Sequence, residues 1–136
     1  MYPETLVKPM KGELTESGFE DLTTPVAVDK AIRTPGTLLL VVNSVCGCSA
    51  GAARPGILMS LENSKKPAHL ATVFAGFDVE ATAQARKYLL PYPPSSPSIA
   101  LFKDGKLVHF VERHHIEGHS AAMVAENLTA AYNQYC

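Results

Sequence analysis

Thr37-Leu38-Leu39-Leu40-Val41-Val42-Asn43-Ser44-Val45-Cys46-Gly47-Cys48-Ser49-Ala50 opens with a leucine and valine run and leads straight into a pair of cysteines. A continuous apolar run of this length, rich in β-branched residues and bounded by turn residues, is the pattern of a strand buried on both faces, so 37–43 is expected at the centre of a sheet. Past the cysteines, Ala50, Ala53, Ile57 and Leu61 recur at helical spacing up to Asn63, with Pro55-Gly56 expected to kink or delay the first turns. Strand, cysteine turn and helix in that order place the chain in the α/β class.

Outward from this unit the same reading continues. Thr24-Pro25 reads as an N-cap and first helical position, and Val28, Ala31 and Ile32 follow at helical spacing until Pro35-Gly36, which predicts a first helix over about 22–33. Residues 68–74 read as a second buried strand, and Asp78 is expected to cap a helix in which Ala81, Ala85, Tyr88 and Leu89 share a face, ended by Pro91. Two strand-like runs, 98–103 and 106–113, flank Asp104-Gly105, a dipeptide suited to the positive φ angles of a tight hairpin turn. Ser120 is the expected N-cap of a last helix that puts Ala121, Val124, Ala125, Leu128, Ala131 and Tyr132 on one side. A mixed four-stranded sheet with helices on both faces satisfies this order, in one domain over 1–136. Residues 1–20, with Pro3, Pro9, Gly12 and Gly18, are expected to form an N-terminal arm of loop or a short helical turn.

Hydrophobic residues make up 46% of the chain and charged ones 18%, the balance of a folded globular protein. Twelve basic against thirteen acidic side chains leave a formal charge of −1, which builds no field for a phosphate backbone, so nucleic acid is excluded as a partner. The apolar run 38–42 is too short to cross a bilayer and the N-terminus carries no signal-type apolar segment, so a cytoplasmic protein with no membrane partner is expected.

Of three cysteines, two are separated by one residue, which is not the framework of a disulfide-stapled secreted domain. A thiolate is the nucleophile in thiol-disulfide exchange, and a helix N-terminus stabilises that anion through its unpaired N–H groups. A cysteine between the central strand and the next helix is therefore where such a thiolate would be built, and Cys46, the first and more exposed, is the expected attacking thiol. Cys48 is near enough to resolve a mixed disulfide at Cys46 or to close a bridge with it. Gly47 gives the backbone freedom that so short a bridge needs, and strain in that bridge would favour oxidation, isomerisation or release of mixed disulfides over reduction. A soft-metal-binding module is the alternative from another class, but structural zinc takes four ligands and only Cys136 and scattered histidines remain, so no metal is expected. A pair of inert buried thiols is the other alternative, against which stand the small residues Gly47, Ser49 and Ala50.

Residues 38–55, with Ser96-Pro97-Ser98-Ile99-Ala100-Leu101-Phe102-Lys103-Asp104-Gly105-Lys106, resemble the thioredoxin pattern of active-site turn and proline-headed hairpin. More closely, Val42-Asn43-Ser44-Val45-Cys46-Gly47-Cys48 and Glu112-Arg113-His114-His115-Ile116-Glu117-Gly118-His119-Ser120 resemble the bacilliredoxin family, over nearly the whole chain. The resemblance implies a thioredoxin-like fold and a thiol-disulfide oxidoreductase that releases bacillithiol, a low-molecular-weight cysteinyl thiol, from mixed disulfides on proteins. Bacillithiol is then a co-substrate and no resident cofactor is implied. Cys46 would attack and take the bacillithiol, and Cys48 would be the second thiol; activity as a disulfide isomerase or redox sensor through the same pair stays open. Unlike ordinary thioredoxins, the chain has one residue between its cysteines and no tryptophan before them.

The resemblance also implies that Pro97 is a cis-proline facing the active cysteine and that Ser96 and Pro97, with Gly47, contact substrate, which pairs with this backbone as an added strand. Without it, Pro97 reads as a trans proline heading an edge strand. His114, His115 and His119 return toward the cysteine end of the sheet, where a histidine could stabilise a thiolate or where all three could be loop and cap residues. Arg54, one turn beyond Cys48, could add positive charge for the thiolate but reads first as a solvated surface cation, His69 and His109 read as structural groups, and Cys136 as an incidental terminal thiol.

Overall fold

The computed structural model describes residues 1–136. Strand β2 (Thr37–Asn43) lies at the centre, parallel to β3 (His69–Phe74) on one side and antiparallel to β4 (Ser98–Lys103) on the other. Strand β5 (Lys106–Val111) pairs antiparallel with β4 across the Asp104-Gly105 turn, where both residues take positive φ (49° and 80°). That turn is pinned back to the start of β2: Gly36 N–H donates to Asp104 Oδ1 at 2.8 Å and Asp104 N–H donates to Gly36 O at 2.9 Å.

Because side chains alternate along a strand, β2 feeds two cores. Leu39 and Val41 face one layer, with helix α1 (Glu4–Thr15), α3 (Arg54–Ser60), the single-turn α5 (Arg113–Ile116) and α6 (Ala121–Tyr135). Leu38, Leu40 and Val42 face the other, with α2 (Pro25–Arg33) and α4 (Val79–Lys87). All five are 3% exposed or less, and burial of each such side chain contributes about 1.5–3 kcal/mol, which makes this strand the anchor of both layers. Thr24 and Ser120 cap α2 and α6 as expected, accepting from Ala27 N–H at 3.1 Å and Met123 N–H at 3.2 Å.

The structure departs from the sequence-based expectations in several elements of the fold. The sheet has five strands, not four, because Glu20–Asp21 (β1) adds two residues parallel to the edge of β3. So short a strand carries no periodic signal, and only the docking of its flanks creates it. The N-terminal arm is a twelve-residue helix that tolerates Pro9 and buries Val7 and Leu14. Asp78 stands at the N-cap of α4 without capping it, because its carboxylate lies 2.7 Å from Lys11 Nζ instead. The second hairpin strand stops at Val111, and Arg113 begins α5.

The delay expected of Pro55-Gly56 is observed at the start of α3. Helical backbone starts at 47, widens into a π turn over Ser49–Ala53, and only then continues as α3, with Arg54 N–H donating to Ser49 O. Pro55 has no N–H to offer and its ring crowds the preceding turn, so the wider turn just before it accommodates both constraints.

Gly56 is where α3 meets α6. A Cβ there would come within 2.7 Å of Val124 Cβ and 2.8 Å of Ala121 O, a backbone atom that cannot give way cheaply. Alanine gains about 1 kcal/mol of helix propensity over glycine, whereas overpacking typically costs about 1–3 kcal/mol, so the clash outweighs the gain. Gly56→Ala is expected to lower stability by roughly 1–2 kcal/mol in urea unfolding; an unchanged or raised midpoint would show that α6 can move away freely.

Candidate active site

Strand β2 ends at Asn43, and three residues later the chain turns into helix. Cys46 sits at this entry as a cap residue does: its carbonyl accepts from Ser49 N–H at 2.9 Å and Ala50 N–H at 3.2 Å. Its sulfur accepts from Cys48 N–H at 3.4 Å, the role a serine or aspartate oxygen plays at a helix start. Its own N–H donates to Ser44 Oγ at 3.3 Å. The expected placement of a sulfur at the mouth of a helix is therefore observed, and Cys46 and Cys48 are both free thiols.

The two thiols differ in character. The Cys46 pKa is lowered, first by the Cys48 thiol, which donates toward the Cys46 sulfur, and then, against the opposing effect of burial, by Cys48 N–H, the positive charge of Arg113 and Ser49 N–H. Burial pushes the Cys48 thiol up, and the neighbouring Cys46 sulfur adds to that. Cys48 also packs against the α3–α6 core. One sulfur is thus poised to ionise and the other to keep its proton. Gly47 between them is exposed, and a Cβ there would meet nothing within 4 Å.

Beneath the turn lies Arg54, which is 1% exposed and not the solvated surface residue expected. Its Nη1 donates to Asn43 Oδ1 (2.9 Å), Ser44 O (2.8 Å) and Ser49 Oγ (3.0 Å). Its Nε forms an ion pair with Glu13 Oε1 of α1 at 3.0 Å. Asn43 Oδ1 also accepts from Ser44 N–H (2.9 Å) and Ser49 Oγ (3.1 Å), while Asn43 Nδ2 donates to Met10 O (3.3 Å). Strand end, cysteine turn, π turn and α1 are tied by one guanidinium.

The Ser96–Pro97 peptide is cis, as the resemblance implies, and so is Leu90–Pro91, which no reading anticipated. Ser96 joins Cys46, Ser44 and Arg113 in the lining of a cleft of about 400 Å³. Arg113 Nη1 donates to Ser96 O at 3.3 Å, Arg113 N–H to Ser95 Oγ at 3.4 Å, and Arg113 Nε to Glu117 Oε1 at 2.8 Å. The hairpin return does carry a charged residue to the cysteines, but it is Arg113 and none of the three histidines. His115 is committed locally: its Nδ1 accepts from Glu112 N–H at 3.1 Å in a reciprocal cap of α5. His119 Nδ1 lies 3.1 Å from Glu117 O, and His109 Nε2 is 2.7 Å from Asn127 Oδ1. Glu112, His114 and His115 bring ligand-type atoms within 4.8 Å of one another, but with His115 Nδ1 already used this is a cap and not a built metal site. His69 and Cys136 are exposed at the start of β3 and the end of the chain, away from this cluster.

Sequence reading missed Arg113 and the burial of Arg54 under the turn. Arg113 had a usable signal, since it follows directly on the strand that returns to Ser96. The burial of Arg54 had none, because a lone arginine before Pro-Gly looks like a surface residue until its partners are brought together.

The family model described as Disulphide isomerase matches residues 2–136. A bacilliredoxin of Cytophaga hutchinsonii is 65% identical over 134 residues, covering 98% of this chain and 99% of the relative. A bacilliredoxin of Halalkalibacterium halodurans is 52% identical over 136 residues, covering 99% of this chain and 94% of the relative. Among solved structures, a mutant thioredoxin from Halobacterium salinarum has TM-score 0.60 at 18% identity, covering 85% of this chain and 88% of its own. Fasciola hepatica thioredoxin has TM-score 0.60 at 19% identity, covering 87% and 100%. These structures establish the thioredoxin-like fold expected from the sequence.

Two measurements follow from this geometry. Alkylation of Cys46 by iodoacetamide is expected to rise with pH to a midpoint below the ordinary thiol value of about 8.5. Arg113→Gln removes a stabilising cation and should move that midpoint upward, less at high salt; a midpoint that stays put shows that Arg113 does not stabilise the thiolate. Arg54→Met leaves Asn43 Oδ1 and Ser44 O short of a donor and is expected to cost about 2–4 kcal/mol in denaturant unfolding. The Glu13 pair adds little, because that carboxylate is 45% exposed. A loss under 1 kcal/mol would mean that the buried network is not what holds the turn.

Proposed function

This chain belongs to the bacilliredoxin family and is a thiol-disulfide oxidoreductase, and from that premise we propose that it removes bacillithiol from mixed disulfides on cytoplasmic proteins through Cys46. The observation that carries the reading is the division between the two sulfurs: Cys46 has a lowered pKa beside an open cleft, and Cys48 has a raised one in a deeper position. A nucleophile must be ionised and reachable, and a second thiol must wait its turn.

The Cys46 thiolate attacks the bacillithiol sulfur of the mixed disulfide. The S–S bond to the protein breaks, the protein leaves as a thiolate, and a Cys46–bacillithiol disulfide forms with no net change of oxidation state. Two exits are available. A second bacillithiol thiolate attacks this disulfide and leaves as bacillithiol disulfide, which restores Cys46. Alternatively Cys48, once deprotonated, attacks Cys46 and releases bacillithiol, and the resulting Cys46–Cys48 bridge is reopened by a thiol reductant.

Bacillithiol is in this account a co-substrate, and the chain needs no resident cofactor. Gly47 presents no side chain to the approaching protein. Ser96 and Pro97 receive the substrate backbone; the Ser96 carbonyl is held by Arg113, and the Ser96 N–H donates to no group of the chain. A second reading, protein disulfide isomerase, is favoured by the description of the matching family model and by the raised Cys48 pKa, which prolongs a mixed disulfide at Cys46 while substrate bonds rearrange.

Cys46→Ala is expected to abolish bacillithiol release from a modified model protein, followed by mass spectrometry, while Cys48→Ala keeps part of it and accumulates the Cys46–bacillithiol adduct. Undiminished release by the Cys46 variant would defeat the assignment. Faster rescue of a scrambled disulfide substrate than of the bacillithiol adduct would favour the isomerase.

A further inference from the structure

Helix α5 is a single turn, Arg113–Ile116, and a single turn does not sustain itself, because nucleation fixes several residues for one hydrogen bond. It is held at its ends. Ile116 is fully buried in the core, and Gly118, at φ +75°, turns the chain away after it. At the start, Glu112 and His115 cap each other: the Glu112 side chain accepts from His115 N–H, and His115 Nδ1 accepts from Glu112 N–H at 3.1 Å. In the usual form of this reciprocal cap a Glu or Gln at the third helical position supplies the returning acceptor, whereas here an imidazole does. That nitrogen accepts only in the neutral ring with its proton on Nε2.

Between the two capping residues stands Arg113. Its side chain is 44% exposed, so packing does not fix it. What fixes it is the placement of the turn that carries it: Arg113 N–H donates to Ser95 Oγ, Nη1 to Ser96 O and Nε to Glu117 Oε1. Two of these three bonds reach the loop before Pro97. Beyond the Cys48 thiol and N–H, the charge so placed lowers the Cys46 pKa. A long exposed side chain loses rotamer freedom to hold such a pose, and backbone already fixed at both ends of the turn reduces what must be ordered.

We propose that His115 is a positioning residue for sulfur exchange: by accepting from Glu112 N–H it fixes the first turn of α5, and so sets the Arg113 guanidinium beside the cysteine turn. This deepens the proposed function and rests on its premise that Cys46 is the attacking thiol. His115 acts through Arg113 and not on the sulfur.

The rate of Cys46 alkylation by iodoacetamide at neutral pH, read by mass spectrometry on the full-length protein, follows the thiolate fraction. His115→Ala removes the acceptor while keeping the best helix former in the turn, so a loss is not one of propensity. It is expected to slow alkylation about twofold, the size of a weak exposed charge interaction. His115→Gln, which restores an acceptor, should return the rate to that of wild type. In an Arg113→Gln background the alanine change should have no further effect, because the cation that His115 positions is gone. Nitrogen NMR of the wild-type imidazole should place the proton of the neutral ring on Nε2. An alanine variant as fast as wild type, a glutamine variant as slow as alanine, equal slowing with and without Arg113, or a neutral ring protonated on Nδ1 each overturns the inference. Any of these with bacillithiol release still lost in Cys46→Ala refutes the role of His115 alone. A wild-type Cys46 that does not alkylate overturns the function proposed above together with it.

Discussion

The buried guanidinium of Arg54 is the constraint on which the site depends. A charge that is 1% exposed is unfavourable unless it is compensated, and here Nη1 donates to the groups that define the cysteine turn, Asn43 Oδ1, Ser44 O and Ser49 Oγ, while the Glu13 carboxylate forms an ion pair at Nε. Satisfying one cation therefore fixes where β2 stops and how the chain turns. The N-terminal helix reaches the same network through Glu13 and Met10 O, while its buried Val7 and Leu14 pack it onto the body.

With the turn held from below, the two sulfurs take unequal places on it. Cys46 occupies the cap position with its sulfur receiving Cys48 N–H, and Cys48 falls one step inside the helix against the core. One residue between the cysteines is enough for this difference, because the first lies outside the helix and the second within it. The π turn that follows belongs to the same design, as it lets a proline stand next to Arg54 without breaking the helix that carries the thiol.

The cleft is assembled from segments far apart in the chain. The cysteine turn follows β2, Ser96 and Pro97 precede β4, Arg113 follows β5 and Arg86 ends α4. In a mixed sheet the ends of parallel strands and the start of an antiparallel neighbour meet at one edge, so three loops converge there without any of them being long.

By itself the sequence determined the central strand, both capped helices at Thr24 and Ser120, the Asp104-Gly105 hairpin, and Cys46 at a helix start, because each is written in local periodicity, capping chemistry or turn geometry. The motif around the cysteines and Pro97 made the thioredoxin-like fold legible as well. Tertiary structure alone decided the fifth strand at Glu20–Asp21, the length of α1, the use of Asp78 for Lys11 in place of its cap, the burial of Arg54, and Arg113 over the histidines as the charge at the thiols. The reason is common to all five. Each depends on which polar group finds a partner tens of residues away, and such pairing leaves no period or spacing in the chain to read.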